Sequence, residues 1–542
     1  MNILLIGSVL VVFLAITAFL SYLGFKSTKS DTDYLVAGRK AHPLVMAISY
    51  GATFISTSAI VGFGGAAAVY GMGLLWLTFL NIFVGIFIAF IVFGKRTRKL
   101  GHALDAHTFP EILRKRFGSR LLQAASGLLI FIAMPLYAGA VIIGGAQFVS
   151  QSFSISYDVA LIFFVSVVAL YVVMGGMKGV MYTDAFQGAL MFIGMTMLLI
   201  ATYAAFGGVT QAHQALSDMA SQVPANMKAL GHAGWTAMPT IGSVYWWQLV
   251  STIVLGVGVG VLAQPQLTVR FMTVRSDREL NRAVLAGGVF ILMMTGVAFV
   301  VGALSNAWFL KNPAFGKIAV AAAGGKVDNI IPLYITNAMP SWFSAVFMIT
   351  LLSAAMSTLS SQFHTMGTAF GRDFLEKGLG VHAKNSTAVT RLAMVAGILV
   401  SAFLAWGLPK FFEAGSAIVA TGTAIFFGIC AAAFLPTYFS ALYWKRATRA
   451  GALASFVGGL AVSSFWLVFV HAKESAPLGL CKMLFGVPSL AGKTIISQVD
   501  AIVIALPISV LLMVVVSLAT KRTNEETATL FPEAKIASGK TA

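Results

Sequence analysis

The chain has 542 residues, of which 58% are hydrophobic and only 10% charged, against about 25% charge in an average soluble protein. Its 36 basic and 18 acidic side chains cannot coat a soluble particle of this size, so most of the surface must face a bilayer. That excludes a soluble enzyme, a fibrous chain and a disordered chain. The formal net charge of +18 is scattered through short loops between apolar runs, which reads as membrane topology and not as a nucleic-acid surface. Cys430 and Cys481 are the only cysteines, too few for a disulfide scaffold or a Cys-rich metal site.

A span needs about 20 apolar residues. Runs of that kind lie near 3–24, 43–70, 74–94, 122–150, 158–177, 183–206, 246–269, 283–308, 341–364, 389–406, 416–442, 450–470 and 499–520. The first is too long for a signal-peptide core, and Lys26 and Lys29 follow it rather than precede it. It reads as a retained helix with its N-terminus outside. Thirteen crossings from that start place 28 of the 36 Lys and Arg residues in cytoplasmic segments, as the positive-inside rule asks. The expected fold is therefore an all-α polytopic membrane protein, N-out and C-in. Trp76, Trp246, Trp247, Trp342 and Trp444 near span ends fit an interfacial aromatic belt.

No second domain is expected within 1–542. Residues 1–42 form a first helix and cytoplasmic loop, and 43–206 and 246–442 hold two groups of five spans. Two further helices follow over 450–520, then a cytoplasmic tail over 521–542. The phosphate-loop lookalike Gly486–Thr494 has one residue too many between its glycines and falls in an outward loop.

Polar groups and helix breakers at membrane depth cost free energy and mark function. The second run reads Ser49-Tyr-Gly-Ala-Thr-Phe-Ile-Ser-Thr-Ser58, bracketed by Gly51, Gly62, Gly64 and Gly65. Such a helix is expected to be interrupted, freeing carbonyls for a cation, although small residues also serve close helix packing. The sixth run begins Tyr182-Thr183-Asp184, and Asp184 is the one carboxylate set inside an assigned span by more than a few residues. It reads either as an ion ligand or as the cap of its helix. The seventh run carries Gly256, Gly258 and Gly260, then Gln264-Pro265-Gln266. Interrupted helices at matching positions of two halves point to a transporter's central site. In the ninth run, Ser357, Ser360 and Ser361 stand at i, i+3 and i+4 on one face, beside Thr358. Stacked hydroxyls can replace part of the hydration shell of a hard cation, although single hydroxyls usually bond back to their own helix. His364 and Glu413, near span ends, read as interfacial, and no basic residue reads as lying at mid-depth.

Together these segments resemble the sodium/solute symporter family, which includes the proline, pantothenate, sialic-acid and glucose cotransporters. The likeness rests on Asp33-Tyr-Leu-Val-Ala-Gly-Arg39, Ala52-Thr-Phe-Ile-Ser56, Gly175-Gly-Met-Lys-Gly-Val-Met-Tyr-Thr-Asp184, Gln264-Pro-Gln-Leu-Thr-Val-Arg-Phe271 and Ala354-Ala-Met-Ser-Thr358. The resemblance implies a leucine-transporter-type fold of two inverted five-helix repeats. It implies Na⁺ as coupling ion, bound by the carbonyls of Ala52, Ile55 and Ala354 and the hydroxyls of Ser357 and Thr358. A second sodium or proton site is implied at Asp184, Ser357, Ser360 and Ser361. The solute is implied to bind near Ser56, Thr57, Tyr137, Val257, Val261, Gln264 and Pro265.

Where the proline carriers of this family have aromatic residues and an acid, this chain has Val257, Val261 and Phe54, and the sugar carriers' polar and basic pocket residues are missing. The expected activity is sodium-coupled import of a small organic solute by alternating access: an organic acid such as pantothenate or a monocarboxylate, or an amino acid. The partners are then the solute, Na⁺ and the lipid bilayer, with no nucleic acid and no required protein partner, and the expected location is a bacterial inner membrane. Nothing covalent is involved, so no enzyme is expected. The rivals are a proton-coupled symporter of the same fold using Asp184, and a solute sensor or channel without coupled transport.

Overall fold

A computed structural model describes residues 3–381, 385–411 and 418–521, where all regular structure is helical. Glu413 and the tail beyond Lys521 lie outside the described residues. Eleven helices among the described residues are long and apolar enough to cross a membrane. The thirteen runs of the sequence all carry helix, but the second, fifth, sixth and seventh do not each form one long straight rod. The second is broken after Phe54, into α2 (Pro43–Phe54) and α3 (Phe63–Tyr70). The fifth and sixth join in one 49-residue helix, α6 (Tyr157–Ala205), which bends at Gly176 with φ +58°.

Two glycines show how the chain packs. After Tyr70 the chain turns at Gly71, where φ is +72° and a Cβ would lie 2.3 Å from the Trp235 carbonyl oxygen. Only glycine fits, and α3 therefore ends there before α4 (Leu75–Ile82) begins. At Gly24 of α1 (Ile3–Ser27) a Cβ would fall 2.2 Å from Gly179 Cα. The missing side chain lets α1 cross α6 with backbones touching, as small residues do in bilayers. Large apolar side chains such as Leu170 (76% exposed) and Leu285 (76% exposed) point outward, a surface stable only against lipid.

The segment between α6 and α7 (Val244–Ala263) is folded rather than trailing. Trp235 is fully buried among Leu216, Met219 and Leu304, and its indole N–H donates to the Ala68 carbonyl at 2.8 Å. Its own carbonyl accepts from Met72 N–H. This cap is thus fixed to the end of α3. His364, expected at an interface, is only 2% exposed and hydrogen-bonds the Tyr34 carbonyl, 3.1 Å away. The loop helix Asp31–Val36 covers it, a tertiary contact that hydropathy does not report.

Candidate functional site

Two interrupted helices meet one continuous helix at the centre of the bundle. α2 starts with Pro43 at its first turn and ends at Ile55, whose φ/ψ of −92°/108° is extended. The Ser56 hydroxyl accepts from Ser58 N–H at 3.1 Å, a local bond that competes with helix. Thr57 donates to the Val141 carbonyl of α5 (Arg120–Phe153) at 2.7 Å, pinning the restart of the chain. α7 ends at Ala263, Gln264 is extended, and Pro265 opens α8 (Pro265–Phe271). Proline lacks the N–H that a continuous helix needs and pushes the preceding residue out of helical geometry. The Gln264 side chain covers part of the gap by donating to the Gly260 carbonyl at 3.2 Å. α9 (Ser341–Gly367) passes unbroken beside both.

Where α9 meets the break in α2, the five oxygens expected to hold Na⁺ come together with a sixth, the Thr53 carbonyl. The Ser357 hydroxyl lies 2.9 Å from the Ala52 carbonyl oxygen and 3.3 Å from that of Ala354. The Thr358 hydroxyl lies 3.0 Å from the Thr53 carbonyl oxygen and 3.4 Å from those of Ala52 and Ile55. All the contributing residues are 0–1% exposed. Two oxygens at right angles around a cation about 2.4 Å from each stand about 3.4 Å apart. The spacing and the neutral, all-oxygen donor set therefore suit a small hard cation.

A second cluster lies one turn away on the same face of α9. Asp184 is fully buried within the continuous second half of α6, so it is not a helix cap. Its Oδ2 accepts from Arg270 Nη2 at 2.8 Å, from Ser49 at 2.8 Å and from Thr53 at 3.2 Å, while Oδ1 accepts from Ser360 at 3.3 Å. Arg270 also donates to Ser49, Ser361 and the Gln266 carbonyl. Both charged side chains are 0% exposed. Arg270 is the residue that sequence reasoning missed. Placed at the end of a span, it turns back into the protein because the break at Gln264 restarts the helix as α8. The available signal was the isolated acid itself, since a buried carboxylate needs a partner.

Between the broken helices lies a small chamber of about 20 Å³, room for about one water molecule. Of the residues expected around the solute, Ser56, Tyr137 and Val257 line it. Thr57 turns instead to Val141, and Val261 packs toward Gly85. Gln264 and Pro265 form the break itself. Phe63, Asn81, Thr295, Phe299, Thr423 and Phe427 also line it and were not anticipated, and Phe54, Ile55, Ala59 and Leu77 complete the wall. Asn81, a lone amide in an apolar span, was the one legible signal among them, and its buried Oδ1 has no hydrogen-bond partner among the described residues. No charged side chain lines this chamber among the described residues.

Comparison with known proteins places this geometry. The profile of the sodium:solute symporter family matches residues 34–459. A sodium/proline symporter from Staphylococcus aureus (strain bovine RF122 / ET3-1) is 28% identical over 517 residues, covering 91% of each chain. Sodium/proline symporter 2 from Staphylococcus saprophyticus is 27% identical over 498 residues, covering 88% of each. A solved Na⁺-coupled sialic acid symporter in a substrate-bound outward-open state superposes with a TM-score of 0.73 at 17% identity, covering 96% of this chain and 99% of that one. That likeness shows the fold, a leucine-transporter-type helical bundle.

Proposed function

The chain belongs to the sodium:solute symporter family, and from that premise we propose that it imports a small organic solute together with Na⁺ by alternating access. The single observation that carries the reading is the five-oxygen cage between the break in α2 and the unbroken α9. An ion there joins an element of the first repeat to one of the second, so its binding is coupled to how the two halves sit. By linkage, Na⁺ raises solute affinity by the factor by which solute raises Na⁺ affinity. The sodium gradient and the membrane potential, worth about 2.3 kcal/mol per charge per 100 mV, then drive accumulation.

In this reading the chain is one transporter unit of thirteen spans, N-out and C-in, in a bacterial plasma membrane. Spans two to six and seven to eleven form the inverted repeats, and Ala52, Ile55, Ala354, Ser357 and Thr358 hold Na⁺. Ser56, Tyr137 and Val257 contact the solute in the chamber, with Thr57, Val261, Gln264 and Pro265 shaping the break around it. The chamber supports an uncharged or singly charged solute, because it offers hydroxyls, one amide and aromatic faces. Val257 fills less of this wall than an aromatic would. The proline of relatives 27–28% identical therefore does not carry over by itself.

Asp184 supports two finer assignments. A second Na⁺ beside Ser357, Ser360 and Ser361 requires a state in which the Arg270 guanidinium has moved away, because here Arg270 already neutralises the carboxylate. A proton-coupled cycle requires the same release. The sodium cage needs no such rearrangement, which favours Na⁺ coupling.

The test is a thermal-shift screen of detergent-purified protein against small carboxylates, amino acids, vitamins and sugars, in Na⁺ and in K⁺. A ligand of the folded state stabilises it by RT ln(1 + [L]/Kd). A solute that stabilises only with Na⁺ present is the expected result. Stabilisation indifferent to Na⁺ refutes coupled binding.

A further inference from the structure

An apolar groove of about 390 Å³ opens on the side of the bundle and shares no lining residue with the central chamber. One wall is α10 (Ile418–Tyr443) through Phe439, continued by Trp444, and another is α11 (Ile502–Ala519) through Val510 and Val514. Phe93, at the end of the third span, and Leu262 of α7 complete it. Phe439, Val510 and Val514 are 44%, 45% and 38% exposed, so the groove faces lipid. Its lining runs from Leu435 to Trp444 and from Leu506 to Val514, about 12–14 Å at about 1.5 Å per residue. That is roughly half of a hydrocarbon core about 30 Å thick. One leaflet's depth suits an acyl chain and is too short for a partner's spanning helix.

Positive charge gathers at one mouth of this groove, the end that the charge bias assigns to the cytoplasm. Trp444 is followed by Lys445, Arg446 and Arg449, Phe93 by Lys95 and Arg96, and α11 by Lys521. Packing brings the three span ends together. The Arg96 guanidinium lies over the Tyr443 ring, 5.1 Å from its centre, and Arg446 donates to the Thr520 and Leu518 carbonyls at 3.0 and 3.2 Å. Residues 84–104, 435–470 and 501–521 contain no Asp or Glu. Asp277 neutralises Arg98 and Lys99, whereas Lys95, Arg96 and Lys521 enter no ion pair among the described residues. The remaining residues 522–542 carry Arg522, Lys535 and Lys540 against Glu525, Glu526 and Glu533, no net charge to offset the rim. A basic cluster at the membrane surface beside a recess between helices attracts anionic headgroups, and Trp444 sits at the boundary where such rings anchor.

We propose that the groove holds an acyl chain of an anionic phospholipid whose phosphate lies on the rim of Lys95, Arg96 and Lys445. The two halves of the lipid meet the two halves of the site: the chain fills an apolar recess one leaflet deep, and the headgroup supplies the negative charge that this stretch of protein lacks. Leu262, two residues before the extended Gln264, belongs to the groove. The lipid therefore packs against an interrupted span, and its occupancy stabilises the arrangement in which that wall is in place. The inference needs the membrane placement but neither Na⁺ coupling nor the identity of the solute.

The test uses the full-length protein, purified in detergent, with phosphatidylglycerol and phosphatidylcholine of identical acyl chains as probes. Native mass spectrometry should find phosphatidylglycerol retained in preference, and it should raise the melting temperature more than phosphatidylcholine does. Lys95→Gln, Arg96→Gln and Lys445→Gln combined should weaken phosphatidylglycerol roughly fivefold per charge removed and erase the preference. Lys26→Gln with Lys29→Gln, on α1, should not. Val510→Trp, at a position already 45% exposed, should fill the groove and lose the lipid with the rim intact, whereas Leu285→Trp, at a position 76% exposed, should keep it. A phosphatidylglycerol with a photoreactive diazirine on its acyl chain should cross-link wild-type protein within 435–444 or 506–514, a readout that needs no variant. Equal effects of the two lipids, a rim variant with the wild-type preference, or cross-links confined to other segments overturn the site. Dimeric wild-type protein that Val510→Trp turns monomeric makes the groove a contact between copies and overturns it too.

Discussion

Removing one hydroxyl from the cage should weaken Na⁺ binding without disturbing the fold. Thr358→Ala deletes an oxygen 3.0 Å from the Thr53 carbonyl and 3.4 Å from those of Ala52 and Ile55. It leaves buried acceptors without their donor, which costs about 1–3 kcal/mol. It also takes away one of five proposed ligands. A loss of roughly 1–3 kcal/mol in ion binding corresponds to a roughly 5- to 150-fold higher Kd. The assay needs no knowledge of the solute: the melting temperature of purified protein is followed as NaCl replaces KCl at constant ionic strength. Wild-type protein should gain stability as RT ln(1 + [Na⁺]/Kd), and Thr358→Ala should show the same curve displaced to higher Na⁺. Ser357→Ala combined with Thr358→Ala should flatten it. Thr336→Ala, whose exposed hydroxyl bonds only within the separate short helix Ile330–Ala338, should leave the midpoint unmoved. A Thr358→Ala protein with normal helicity and elution but the wild-type Na⁺ midpoint refutes the cage.

Further outcomes follow from other contacts. Asp184→Asn or Arg270→Gln alone should cost about 3–5 kcal/mol by stranding one buried charge, read as lost yield and lowered melting temperature. The double variant should recover much of that loss, and additive losses would count against the pair. The Na⁺:solute ratio measured in proteoliposomes should be unaltered in Asp184→Asn, since Arg270 already balances the acid; a lower ratio would assign a second ion there. At the basic end of the bundle, burial would raise the Glu111 carboxyl, but the His107 hydrogen bond and the Arg372 and Lys115 charges outweigh it and hold the group down at about 2. A depressed carboxyl contributes stability that is present above its unfolded value and lost as pH falls through the folded one. Glu111 should therefore contribute about 3 kcal/mol near neutrality, vanishing between about pH 4.5 and 2. The melting-temperature gap between wild type and Glu111→Gln should close over that window. Gly71→Ala should fail to accumulate as folded protein, because its Cβ meets the Trp235 carbonyl at 2.3 Å.

Much of the bundle was legible because lipid imposes one rule, that long apolar runs become helices. The breaks after Phe54 and at Gln264 were legible too, since glycine, hydroxyl side chains and proline act on their own backbone. What escaped was what depends on distant segments. Arg270 looked like a loop charge until the restart of the helix at Pro265 turned it inward to Asp184. Asn81, Thr295 and Thr423 come from three different helices and share a chamber only after packing. His364 lost its expected interfacial place to a short loop helix laid over it. The fold of the 207–243 segment around Trp235 was equally unreadable, because its core is completed by Ala303 and Leu304 from another span.

That Trp235 cap makes the transporter addressable from its surface. Its indole and its backbone carbonyl hold the last turn of α3 and the turn after it by two hydrogen bonds. The end of an interrupted helix therefore cannot swing without taking the cap along or letting go of it. In the proposed alternating-access cycle, a binder raised against the folded 207–243 segment, bridging it to the neighbouring 312–338 loops, would act as a splint on the cap. It would arrest the cycle from a site that touches neither ion nor solute, and a label on the same segment would report each opening as a displacement of the cap.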